Sequence, residues 1–156
     1  EILEVNCDYV DAHLPLIHNK ALSDSDDSTM KLFIHFGVNA NIRLPHINLE
    51  SQAFNYINDG ANRKGKIVDD NINSIKNKFY VDDLIDSIGY SAKRSDDAGT
   101  FLCNYIFFES LNKFISNEHY YTQFIHIPNF DVLDTENAYS CFLSYVKSLV
   151  SNYTSS

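Results

Sequence analysis

Tryptophan is absent from this 156-residue chain, methionine occurs once and cysteine three times. Cys7, Cys103 and Cys141 match no metal-ligand spacing and no disulfide framework. Free thiols fit a reducing compartment, so the expected location is the cytoplasm. Basic residues are also scarce: 12 Lys and Arg against 21 Asp and Glu leave a net charge of -9. Most of these cations are scattered singly, which argues against partnership with nucleic acid or an anionic membrane. No apolar run approaches the roughly 20 residues that span a bilayer. The opening Glu1-Ile2-Leu3-Glu4-Val5 is acidic and short, unlike a secretory signal. It lacks an initiator Met and enters a strand-like pattern at once, which implies further residues upstream. The length fits one domain, 1–156, with a full hydrophobic core. No internal repeat or second-domain linker is evident.

What is present alternates between strand and helix patterns. Ile2 to Val5 reads as a strand, and Val10, Leu14 and Ile17 mark a helix face from about Asp8 to Lys20. Pro15 should kink or shorten that helix. The acidic run from Ser23 to Ser28 reads as a solvated loop. Lys31 to Phe36 is a buried-type strand ending at Gly37, and the stretch from Asn39 to Ser74 is irregular. Val81, Leu84, Ile85 and Ile88 give a helical face with Gly89 as its stop. A strand over Tyr90 to Ser95, a helix from about Phe101 to Ser116 and a strand over Thr122 to Ile127 follow. Asp134 can cap a last helix through Leu149. This order predicts an α/β fold, a three-layer α/β/α sandwich with a twisted, mostly parallel sheet.

Cys103 falls in the first turn of an apolar helix, just after the turn signal Asp97-Ala98-Gly99. Free N–H groups at a helix start favour thiolate over thiol. His126 lies in a short apolar strand that stops at Pro128. A cysteine nucleophile needs a base in reach, and the base needs a group to hold its ring. Glu50 is a candidate for that third role, and open α/β sheets gather such residues at one edge. Each residue also has a plainer reading: Cys103 as core filling, His126 as a satisfied structural histidine, Glu50 as a surface carboxylate.

Three strings carry a family resemblance. Asp97-Ala98-Gly99-Thr100-Phe101-Leu102-Cys103-Asn104 resembles the nucleophile motif of the pyroglutamyl peptidase I family of cysteine peptidases. Glu50-Ser51-Gln52-Ala53-Phe54-Asn55 is similar to its Glu-x-x-Ala-x-Asn motif, and Phe124-Ile125-His126-Ile127-Pro128 to its histidine motif. Their order and intervals agree with the family, from about Glu1 to Leu149. The resemblance implies removal of N-terminal pyroglutamate from peptides, with Cys103 as nucleophile, His126 as general acid–base and Glu50 orienting the imidazole. It implies no metal and no organic cofactor. Phe101 matches a pocket-lining aromatic, and Gly37-Val38 falls where the family has a Gly-led loop beside the substrate, making the Val38 backbone a weaker substrate-binding candidate. A homo-oligomer is compatible with the sequence.

The chain departs from the family in two places. Nothing matches the family's first strand and Gly-Phe-rich turn, so the sheet is expected to lack that strand. Arg63 stands in a different register from the arginine of many bacterial members, and no role is transferred to it. A catalytically inactive member acting as a binding or assembly module is the alternative reading. An unrelated cysteine hydrolase is a third.

Overall fold

The structure is a computed structural model that describes residues 2–23, 29–79, 81–88 and 92–154. Residues 2–5 form no strand, and the first element is helix α1, Cys7–Ser23. Asn6 starts it, its Oδ1 accepting from the Asp8 and Tyr9 amides at 2.8 and 3.2 Å. Cys7, Val10, Leu14 and His18 are the buried face, one helical turn apart in succession. Pro15 neither ends nor shortens the helix. The proline removes one backbone hydrogen bond, and the buried side chains Leu14 before it and His18 after it hold the helix in place.

Strand β1, Lys31–Val38, continues through Gly37 and does not stop there. The region expected to be irregular holds five short strands. These are β2 (Ile47–Glu50), β3 (Gln52–Phe54), β4 (Ile57–Asn58), β5 (Lys64–Gly65) and β6 (Ser74–Lys76). Helix α2, Val81–Ser87, strand β7, Ala92–Ser95, and helix α3, Leu102–Lys113, follow. Strand β8, Tyr120–Ile127, and helix α4, Thr135–Thr154, complete the chain. The anticipated acidic loop over 24–28 and the Gly89 stop lie outside the described residues. Asp134 does cap α4, accepting from the Asn137 amide at 2.9 Å.

The central sheet runs β1-β8-β2-β7. β1 with β8 and β2 with β7 are parallel, while β2 with β8 is antiparallel. One face carries α2 and α4 over a core of Ile47, Leu49, Leu84, Ile125, Tyr145 and Leu149. The other carries α3 over Ala53, Phe107, Phe108 and Phe124, with α1 packed outside it through Val10, Leu14 and Leu102. The result is the mixed α/β sandwich expected, with helices on both faces of a mostly parallel sheet. Each fully buried phenylalanine contributes about 1.5–3 kcal/mol over its exposed state.

The end of α3 is closed by a lysine. Lys78 Nζ donates to the carbonyls of Phe114 and Tyr120 at 3.0 and 3.1 Å, and to that of Asn117. Its three protons satisfy carbonyls that the helix end and the turn into β8 leave open.

Candidate active site

Sheet register brings Glu50 and His126 together. In the antiparallel β2–β8 pair Glu50 stands opposite Phe124, so the two share a face, and His126 is two residues further on that same face. The diagonal neighbour across a strand pair is within reach of a long side chain. His126 Nδ1–H donates to Glu50 Oε1 at 2.7 Å. Glu50 is 0% exposed and His126 3%. Glu50 Oε2 finds no hydrogen-bond donor among the described residues, so the carboxylate's one protein partner is the imidazole.

Cys103 enters from above this face. Asp97 Oδ1 accepts from the Gly99 amide at 2.9 Å, and Gly99 turns the chain with φ +82°, a conformation costly for residues with a Cβ. Phe101 then stands at the helix N-cap with no side-chain cap, and α3 begins one residue before Cys103. First-turn amides have no intrahelical acceptor, so the N–H groups beside Cys103 can receive a ligand's oxygen.

The Cys103 sulfur lies against Gly37, the register partner of His126, and acts on the imidazole. Burial alone would lower this imidazole's pKa. Hydrogen bonds and charges of Cys103 and Glu50 outweigh it, and the ring is pushed up from 6.5 to about 9. The site therefore brings the three motif residues Glu50, Cys103 and His126 together. The other two candidates sit at its margin. Phe101 is 43% exposed at the start of α3. It lines a cavity of about 160 Å³ together with Cys7, Asp59 and Arg63. Val38 is 51% exposed, and alternation along β1 turns its side chain away from Cys103. Only its backbone borders the site.

The contacts of several site residues were not legible in the sequence. Gly37 pairs with His126 in the β1–β8 register. A Cβ there would lie 2.8 Å from the Cys103 sulfur and 2.9 Å from the Phe124 ring. Glycine is required by close approach, since its φ is unexceptional. Asn104 is fully buried and stitches α3 to the acidic motif. Its Oδ1 accepts from the Phe54 amide at 2.8 Å, and its Nδ2 donates to the Phe54 and Tyr56 carbonyls at 2.9 and 2.8 Å. Asn55 pins the following loop by accepting from the Ile67 and Val68 amides and donating to the Ile72 carbonyl. Gln123 Nε2 and Asn77 Nδ2 both donate to the Glu50 carbonyl, at 2.8 and 3.0 Å. The asparagines at 55 and 104 were visible in the motif strings, but nothing local in the sequence tells which backbone groups they reach.

Among the described residues no group of three or more His, Cys, Asp or Glu is arranged to hold a metal ion. All three cysteines are free. Among the described residues no helix is long and apolar enough to cross a membrane.

A thiol at a helix start, an imidazole beside it and a carboxylate on the ring's other nitrogen make up a site of the cysteine-hydrolase class. The family model described as pyroglutamyl peptidase matches residues 47–150. The chain belongs to the pyroglutamyl peptidase family, whose members are cysteine exopeptidases. Its fold is similar to that of a mutant pyrrolidone carboxyl peptidase from the hyperthermophile Pyrococcus furiosus, with a TM-score of 0.79 and 16% identity over 97% of this chain and 80% of that one. Pyrrolidone carboxyl peptidase from Thermococcus litoralis aligns with a TM-score of 0.76 and 20% identity over 94% and 74%. Pyroglutamyl peptidase I from Bacillus amyloliquefaciens aligns with a TM-score of 0.70 and 18% identity over 86% and 71%. A search of curated proteins by sequence found no significant match.

Proposed function

We propose that this protein removes N-terminal pyroglutamate from peptides through an acyl-enzyme on Cys103. The observation that carries the reading is the chain of contacts Glu50–His126–Cys103, with 2.7 Å between carboxylate and imidazole and the cysteine sulfur beside the same ring. His126 takes the Cys103 proton through Nε2, the nitrogen that Glu50 leaves free. The thiolate sulfur adds to the pyroglutamyl carbonyl carbon, and the carbonyl oxygen becomes an oxyanion facing the first-turn amides of α3. Collapse breaks the C–N bond, and His126 returns the proton to the leaving amine. Water, deprotonated by the same imidazole, attacks the thioester and releases free pyroglutamate with the thiol restored.

Glu50 keeps Nδ1 protonated and balances the imidazolium charge in a site closed to water. The lactam ring is small and neutral, with one N–H and one C=O. Phe101 offers it an apolar surface two residues before the nucleophile, and the Val38 backbone at the end of β1 offers a polar partner. The substrate is thus a peptide with an N-terminal pyroglutamyl residue.

The test is release of aminomethylcoumarin from its pyroglutamyl amide, compared with the prolyl and alanyl amides. Turnover is expected with the pyroglutamyl amide alone, and Cys103→Ala is expected to abolish it with the circular dichroism spectrum unchanged. Turnover surviving in the folded variant would remove Cys103 from its role. A folded parent protein that cleaves none of the three amides would overturn the reading in favour of a binding or assembly module.

A further inference from the structure

A cavity of about 330 Å³ lies between α1 and α3 and includes none of the residues assigned above to the chemistry. That volume is at the lower end of the roughly 300–1,000 Å³ typical of small-molecule sites, so its occupant is the size of an amino acid. Val10, Leu14 and Pro15 of α1 supply an apolar wall, and Glu109 and Lys113 of α3 also line the space.

Glu109 and Lys113 stand four residues apart with the acid first, the arrangement that favours an ion pair along a helix. Yet among the described residues neither makes a hydrogen bond or an ion pair. Glu109 is half-buried, and burial, then the charge of Asp11, raises its pKa. Asp11 is already engaged, by Arg63 at 2.7 Å and by the Tyr105 hydroxyl. Beside Lys113, His18 is bound to the Ser110 hydroxyl at 3.0 Å, and burial, then Lys113, lowers its pKa to about 4, which leaves it neutral at physiological pH. The cavity thus has a half-buried carboxyl group and an exposed ammonium, neither paired among the described residues, beside an apolar wall.

We infer that this cavity binds a small zwitterion, an α-amino acid with an apolar side chain, whose ammonium pairs with Glu109, whose carboxylate pairs with Lys113 and whose side chain rests on Val10, Leu14 and Pro15. A monoamine satisfies only the first group and a carboxylic acid only the second. A zwitterion places a charge-assisted hydrogen bond at each. Nothing in this assignment depends on the peptidase reading.

The experiment is calorimetric titration of the purified protein at neutral pH with L-leucine, with leucinamide, which lacks the carboxylate, and with 4-methylpentanoate, which lacks the ammonium. Leucine is expected to bind with a dissociation constant on the order of 1 mM. Each analogue should bind at least about tenfold more weakly, as should leucine to Glu109→Gln and to Lys113→Met, each variant keeping its circular dichroism spectrum. Absence of leucine binding, analogues equal to leucine, or variants equal to the parent would each overturn the assignment. If one variant fails to fold, the other and the two analogues still decide. Pyroglutamyl amide turnover is read separately, and its absence bears only on the proposed function.

Discussion

Glu50 has lost all contact with water, and one oxygen of its carboxylate meets the imidazole at 2.7 Å while the other meets no donor among the described residues. A buried charge in that position is held by its partner, and removing one member of such a pair typically costs about 3–5 kcal/mol. Glu50→Gln keeps the shape and removes the charge. Since Cys103 and Glu50 together hold His126 near 9 against the pull of burial, loss of the carboxylate lowers that value. The leaving amine needs the protonated ring, so the alkaline limb of kcat/KM for the pyroglutamyl amide is expected to move to lower pH. The rate should also fall by roughly 10²-fold or more, the usual contribution of a positioned acid–base. A pH profile whose alkaline limb stays in place would show that Glu50 does not set the basicity of His126. The motif strings were enough to single out Glu50, Cys103 and His126. The side chains that hold them, Gln123 and Asn77 on the Glu50 carbonyl, were not legible, because they act on backbone groups at sequence separations that no local pattern records.

Elements with a long, regular pattern were legible as such: α1, β1, α3, β8 and α4 all fall close to their expected spans. The stretch from Asn39 to Ser74 was not, since strands β2 to β5 are two to four residues long and too short to show a period. Its shape rests on Asn55 and Asn104 reaching backbone groups, and not on apolar alternation. Ile2 to Val5 reads as a strand but pairs with none in the described sheet. Strand β1 shows how one element limits another. It passes beneath the first turn of α3 at Gly37, where the spacing leaves no room for a methyl group. Gly37→Ala must therefore displace the Cys103 sulfur, the Phe124 ring or the strand itself. Because a misplacement of about 1 Å can cost on the order of 10²-fold in rate, activity should fall far more than stability. The comparison is kcat/KM against the urea midpoint. Unchanged kcat/KM in a folded variant would mean that the strand yields at no cost to the nucleophile.

At the scale of the whole molecule, two histidines tie three layers of side chains together. His18 from α1 and His35 from β1 meet on the Ser110 hydroxyl of α3, at 3.0 and 2.9 Å. The hydroxyl can donate to one ring and accept from the other, and the ring that accepts must be neutral. This junction joins residues 92 and 75 positions apart, so no reading of spacing could anticipate it. Burial lowers both imidazoles to about 4, helped by Lys113 at His18 and by His18 at His35. The aromatic rings of Phe33 and Phe114 pack on His18, and that of Phe124 on His35, adding no charge that would favour protonation. A histidine whose folded value lies below its ordinary 6.5 contributes stability that is complete above that pH and is lost as pH falls toward about 4. His126 has the opposite sign: raised to about 9, it contributes fully below 6.5 and loses its contribution as pH rises through 9, so it adds nothing to the acid limb. Unfolding free energy from urea titrations should therefore fall between pH 6.5 and 4 with a slope approaching about 1.4 kcal/mol per pH unit for each of the two histidines. The double variant His18→Gln, His35→Gln should flatten that limb even though it is less stable at neutral pH. An equally steep limb in the double variant would place the acid sensitivity elsewhere, for example at His46, which burial and Lys93 also lower.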